Sequence, residues 1–118
     1  KLSRISFIIT TRNELTFYGA FDRESLIGVI ATKNEGKHIS LFFIKPSYHR
    51  RGIGKQLFKT AILNQPVSEM TVNSSSYAIP IYRKLGFEPV CEEQVTHGMK
   101  YTPMKRMGTK VRELEKVC

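Results

Sequence analysis

The sequence predicts an α+β domain, a mixed, mostly antiparallel β-sheet flanked by helices. Three strand-like runs, at 15–21, 25–32 and 38–45, follow one another with only short turns between them, which is the pattern of an antiparallel meander. Ile53, Leu57, Phe58, Ala61 and Ile62 then recur at helical spacing. A further strand at 68–73 and a second helix follow, so a strand–helix–strand crossover is set inside a mostly antiparallel series.

Each element has a local reason. Ile5, Phe7, Ile8 and Ile9 read either as one strand or as the remnant of a helix. Asp22-Arg23-Glu24 and Asn34-Glu35-Gly36 supply the turns of the meander. In the third strand, strict alternation puts His38, Ser40, Phe42 and Ile44 on one face and Ile39, Leu41 and Phe43 on the other. Both faces are largely apolar, so this strand is expected to be central and covered on both sides. Pro46 ends it, having no N–H for a ladder. The first helix starts in the glycine turn at Gly52–Gly54 and stops near Asn64-Gln65-Pro66. Ser74, Ser75 and Ser76 are good caps for a second helix through Leu85, with Pro80 in its first turn, Gly86 as its terminator and Phe87 packing back. Residues 89–95 and 99–106 read as a hairpin turning at His97-Gly98. The tail 109–117 reads as a short helix or a frayed, charged terminus.

The 118 residues suffice for one domain, 1–118, with one core. The 41% hydrophobic and 25% charged fractions are those of a soluble globular protein. No stretch approaches the roughly 18 apolar residues of a membrane span. Residues 5–10 are too short an apolar run for a signal peptide and lack a small-residue cleavage site. Two cysteines, Cys91 and Cys118, form no disulfide framework and no metal-ligand spacing, which points to free thiols in a reducing, cytoplasmic setting and to no metal. The formal net charge is +9, consistent with nucleic acid, an anionic surface or an anionic cofactor. The charges are spread along the chain, and the densest short cluster is Arg50, Arg51 and Lys55. With no continuous basic stripe and no RNA-binding aromatic motif, nucleic acid is disfavoured.

That cluster sits in the most informative run, SLFFIKPSYHRRGIGKQLF, Ser40 to Phe58. A strand leads into a basic, glycine-containing turn and then into a helix. Gly52 and Gly54 carry no Cβ to hold a ligand off the backbone. Unpaired N–H groups and the helix dipole favour an anion there. Two phosphate motifs are excluded by spacing. Gly54-Lys55 is followed by Gln56 without a glycine five residues before Gly54, and position 57 is Leu rather than the third glycine of a dinucleotide fingerprint. What remains is a phosphate cradle or an ordinary tight turn.

Two stretches together carry a family resemblance. FFIKPSYHRRGIGKQLF is similar to the acetyl-CoA motif of the GNAT superfamily of N-acetyltransferases, with its R/Q-x-x-G-x-G/A core. VNSSSYAIPIYRKLGF, Val72 to Phe87, resembles the strand–helix signature that follows it in that family. The resemblance covers about Leu15 to Arg106. His49 stands where the family has Arg or Gln, and residues 1–13 are too few for the strand and two helices that normally open the domain.

The resemblance implies roles. The coenzyme pyrophosphate would lie on backbone amides around His49, Arg50, Arg51, Gly52, Ile53, Gly54 and Lys55. The pantetheine arm would run along Phe42, Phe43 and Ile44 as an added strand, with an amide near Ile44 holding the acetyl carbonyl. Asn73 would bond the pantetheine or the leaving thiol, or simply close its strand. Tyr82 would be the general acid for the thiolate, or a core aromatic. His38 is the candidate base, six residues before Ile44; a surface histidine with water as proton relay is the other reading, and His97 ranks below it. The expected activity is acetyl transfer from acetyl-CoA to a primary amine of a small molecule or peptide, by direct attack in a ternary complex. A homodimer is compatible with it. The alternatives are a coenzyme A-binding module without a competent acceptor site, and a basic nucleic-acid-binding domain.

Overall fold

The structure, a computed structural model, describes residues 4–108, so the expectation for the tail at 109–117 lies outside the described residues. The chain divides into two compact units, Lys1–Pro66 and Val67–Cys118.

The first unit is a four-stranded antiparallel meander carrying one long helix. Its strands are β1 (Ile5–Arg12), β2 (Leu15–Asp22), β3 (Ser25–Lys33) and β4 (His38–Ile44), each paired with the one before. The apolar run at Ile5 is therefore a strand. Asn13 and Glu14 both have positive φ, 52° and 67°, the two-residue turn whose twist suits a hairpin. Helix α1 (Ile53–Asn64) buries Ile53, Leu57, Phe58 and Ala61. It packs on β2, β3 and β4, where the buried set is Thr16, Tyr18, Ala20, Ile30, Thr32 and Ile39. Each large apolar side chain buried this way contributes about 1.5–3 kcal/mol. A polar clasp closes the helix end. Tyr18 Oη–H and Thr32 Oγ1–H donate to Gln65 Oε1 at 3.2 and 3.3 Å, and Asn64 Nδ2 donates to Tyr18 Oη at 3.0 Å.

Strand β4 departs from strict alternation. Ala31 pairs with Leu41, but the next β3 residue, Thr32, pairs with Ile39, so Ser40 has no partner and forms a bulge. One extra residue reverses the faces beyond it. Ile39, Phe42 and Ile44 share the face of Thr32, Ile30 and Gly28, whereas His38, Leu41 and Phe43 share the face of Lys33, Ala31 and Val29. The expectation that His38 and Ile44 lie on one face is thus corrected. So is the expectation of cover on both sides, since Leu41 and Phe43 are 47% and 54% exposed.

The second unit is built on β8 (Met99–Met107). One side of β8 pairs antiparallel with β5 (Glu69–Ser74); β6 (Glu88–Pro89) and β7 (Gln94–Thr96) also pair antiparallel with it. The expected 89–95 arm is two short strands instead of one, while the turn stands at His97 and Gly98, with φ of 51° and 78°. Helix α2 (Ile79–Lys84) starts later than the serines suggested. Ser75 engages the Ala78 N–H through Oγ (3.2 Å) and its carbonyl (3.1 Å), which holds a turn before the helix. The exit is as expected: Gly86 has φ +100°, its N–H reaches Arg83 O at 3.0 Å, and Phe87 N–H reaches Tyr82 O at 3.0 Å. Phe87 is fully buried and meets the Tyr82 ring edge-on, centroids 5.5 Å apart.

Candidate active site

The loop between β4 and α1 is the candidate anion site. Pro46–Tyr48 form one 3-10 turn, closed by the Lys45–Tyr48 and Pro46–His49 bonds. Arg50 and Gly52 then take positive φ, 62° and 81°. The first bond into α1 runs from Gln56 N–H to Gly52 O at 3.0 Å. Among the described residues, none of the amides from Arg50 to Lys55 donates to another protein group, and the first turn of α1 carries no acidic residue. Six consecutive donors at a helix start, beside three basic side chains, are a candidate phosphate site.

The glycines serve different ends. A Cβ at Gly52 would meet nothing within 4 Å, so that position is open and its demand is the left-handed backbone. A Cβ at Gly54 would lie 3.5 Å from Ile44 and 3.7 Å from the Phe42 ring, which puts the helix start beside the end of β4. His49 ties the same corner: its Nε2–H donates to Ile44 O at 2.8 Å. The histidine ring thus serves the loop's shape, in place of the longer side chain of the family motif. Phe43 faces away from Phe42 and Ile44, so the three share a strand but not a face.

Sequence reasoning missed the residues that brace this loop. Tyr48 Oη–H donates to Asp22 Oδ2 at 2.6 Å, and Arg4 holds the same carboxylate in a fork, Nε to Oδ1 at 3.0 Å and Nη2 to Oδ2 at 3.1 Å. Arg51 Cζ lies 4.9 Å from the centre of the Tyr48 ring. Arg4, Asp22 and Tyr48 wall an open polar recess with Arg23, Glu24 and Ser25. The Arg4 hydrogen bonds, then that of Tyr48, hold the Asp22 carboxyl below its usual range; the Asp22 bond pushes the Tyr48 phenol up. Only the position of Tyr48 inside the motif could have pointed here, because Asp22 and Arg4 are distant in sequence.

His38 lies about 20 Å from Ile44, six residues at ~3.3 Å each along the strand, and on the opposite face. It is half-buried, and burial, then its cross-strand neighbour Lys33, lower its pKa. The structure therefore does not bring it to the Ile44 end of β4.

In the second unit, Asn73 is exposed on β5 opposite Pro103. Tyr82 is 7% exposed, and burial pushes its phenol up to about 12. At neutral pH it is a proton donor only.

The chain is similar to known proteins. The family described as the acetyltransferase (GNAT) domain matches residues 6–107. The uncharacterized N-acetyltransferase YafP of Escherichia coli K12 is 36% identical over 58 residues, 49% of this chain and 37% of that protein. The chain thus spans well under half the length of that curated relative. Among solved structures, the PaiA N-acetyltransferase of Thermoplasma acidophilum, in complex with coenzyme A, is similar with TM-score 0.61 and 25% identity, over 80% of this chain and 61% of that one. The ribosomal-protein-S18-alanine N-acetyltransferase of Escherichia coli is similar in fold, with TM-score 0.66 and 16% identity over 82% and 71% of the two chains. A strand, a glycine-bearing basic loop with free amides and a helix, within a profile match that runs almost the length of the chain, place this protein in the GNAT acetyltransferase family.

Proposed function

We propose that this chain is an N-acetyltransferase that moves the acetyl group of acetyl-CoA to a primary amine by direct attack in a ternary complex. The observation that carries the reading is the run of free amides from Arg50 to Lys55, set in basic surroundings at the start of α1. These residues fit a pyrophosphate: the amides stand one after another at the helix start, and Gly52 leaves the backbone open. Acetyl-CoA would supply the activated thioester.

The chain's own groups then have simple tasks. The amides of 50–55 hold the phosphates and so fix the donor's position. The backbone at the Ile44 end of β4 receives the arm that carries the acetyl group, where an N–H can stabilise the oxyanion that forms as the amine attacks. Tyr82, protonated across the physiological range, gives its proton to the departing thiolate. With His38 on the other face and far along the strand, the amine's proton passes to solvent. The acceptor class is a primary amine of a small molecule or a peptide, and the fold leaves the choice open. A cytoplasmic location and, where copies associate, a homodimer accord with this reading; among the described residues no helix is long and apolar enough to cross a membrane.

Calorimetric titration with acetyl-CoA tests the reading, followed by thiol release over a panel of amines. One-to-one binding that survives moderate salt, with turnover on at least one amine, is the expected result. Binding without turnover on any amine would instead make the chain a coenzyme A-binding module. No binding by folded protein would overturn the assignment.

A further inference from the structure

Asp22 and Arg4 lie outside the phosphate motif, yet they converge on Tyr48 within its loop. The carboxylate of Asp22 has three donors, two from Arg4 and one from Tyr48. Its side chain is 10% exposed, against 59% for Arg4. The Arg4 charge is thereby matched to that of Asp22. Among the described residues Arg51 has no such carboxylate partner; its guanidinium lies over the Tyr48 ring at 4.9 Å. A phenol that donates to a carboxylate has a more electron-rich ring, which strengthens its hold on a cation. A ring fixed at its hydroxyl end is also a rigid platform. An arginine resting on it gives up less rotamer freedom when it meets an anion than one that is free in solvent.

We propose that Tyr48, held by Asp22 and Arg4, is a positioning residue that presents Arg51 to the phosphates of the acyl donor. The inference rests on the acetyl-CoA reading and deepens it. Arg51 is the group that meets the ligand; Tyr48 acts through it. Charge that is held in place, rather than merely present, strengthens that contact.

A double-mutant cycle read by calorimetry with acetyl-CoA tests this. Arg51→Ala and Tyr48→Leu should each weaken binding by about 10-fold, and the double variant should be no weaker than the worse single, because both remove one contact. Both singles should also flatten the salt dependence of the Kd equally, a readout that a purely structural Tyr48 would not move. Tyr48→Phe keeps the ring and the fold and should lose only about 2–3-fold, since Arg51 keeps its platform. Losses that multiply in the double variant, or a Tyr48→Leu salt dependence like that of the unmodified chain, would overturn the inference while leaving acetyl-CoA binding intact. If the unmodified chain does not bind acetyl-CoA, the broader reading fails and takes this one with it.

Discussion

Two strand-to-helix junctions of this chain, β4 to α1 and β5 to α2, begin from the same pattern and end in opposite states. Both leave a strand, turn, and enter a helix. At the first, Arg50 and Gly52 bend the backbone left-handed and six amides stay without protein acceptors among the described residues. At the second, Ser75 takes up the Ala78 N–H, Pro80 removes a donor outright, and the helix runs for six residues before Gly86 ends it. The first junction uses its glycines to expose the backbone; the second contains none, and Gly86 closes the far end of its helix. What separates a binding loop from a structural one is which donors are left over, and not the presence of glycine.

The largest expected effect tests that distinction at its centre. Gly54→Asp has room for its Cβ, 3.5 Å from Ile44, so the fold should survive. Its carboxylate would stand in the first turn of α1, beside the amides proposed to take the phosphates, and like-charge opposition of several kcal/mol should weaken acetyl-CoA binding by about 100-fold or more in a calorimetric titration. Tyr82→Phe touches the other junction's product. It should lower kcat by about 100-fold with KM for acetyl-CoA changed only a few-fold, the loss of a general acid. Unchanged turnover would reduce Tyr82 to a core aromatic. Because burial raises its pKa, the unmodified chain should show no loss of the proposed activity from Tyr82 ionisation anywhere between pH 6 and 10.

Smaller effects separate closure from exposure. Gly86→Ala meets both a left-handed φ and Arg106 Nε at 3.1 Å, the atom that donates to Leu85 O. It should cost about 1–2 kcal/mol or slightly more, read as a lower Tm, with little change in coenzyme affinity. Gly52→Ala carries the same backbone strain with nothing within 4 Å, so it should cost about as much stability and, unlike Gly86→Ala, should also weaken acetyl-CoA binding.

The smallest effect concerns His38. Its folded pKa is depressed, so its neutral form favours the folded state. That stability is present above the unfolded value near 6.5 and is lost as pH falls through the lower folded value. His38→Gln should remove this part of the acid destabilisation in a series of melts between pH 7 and 5, while kcat stays within about threefold. A large loss of kcat would restore His38 as the base.

Much of the fold was legible because its signals are local. The helix over 53–64 followed from apolar spacing that ends at Asn64-Gln65-Pro66, and the structure ends it at Asn64. Gly86 and Phe87 stopped α2 as glycine and an apolar follower do. The start of α2 was misjudged because a serine can hold a turn as readily as it can cap a helix. The bulge at Ser40 left no mark in the sequence. It is set by how β3 and β4 align across their whole length, and it moved His38 to the other face.

The sequence by itself determined the order of the elements, the basic glycine loop and the family, because hydrophobic period, turn residues and motif spacing are properties of neighbouring residues. Tertiary structure alone decided which of the candidate groups share a face, that Asp22 and Arg4 brace Tyr48, and that Tyr82 is buried enough to remain a proton donor. Those outcomes depend on strand register and on dielectric, and both arise only when segments distant in the chain come together.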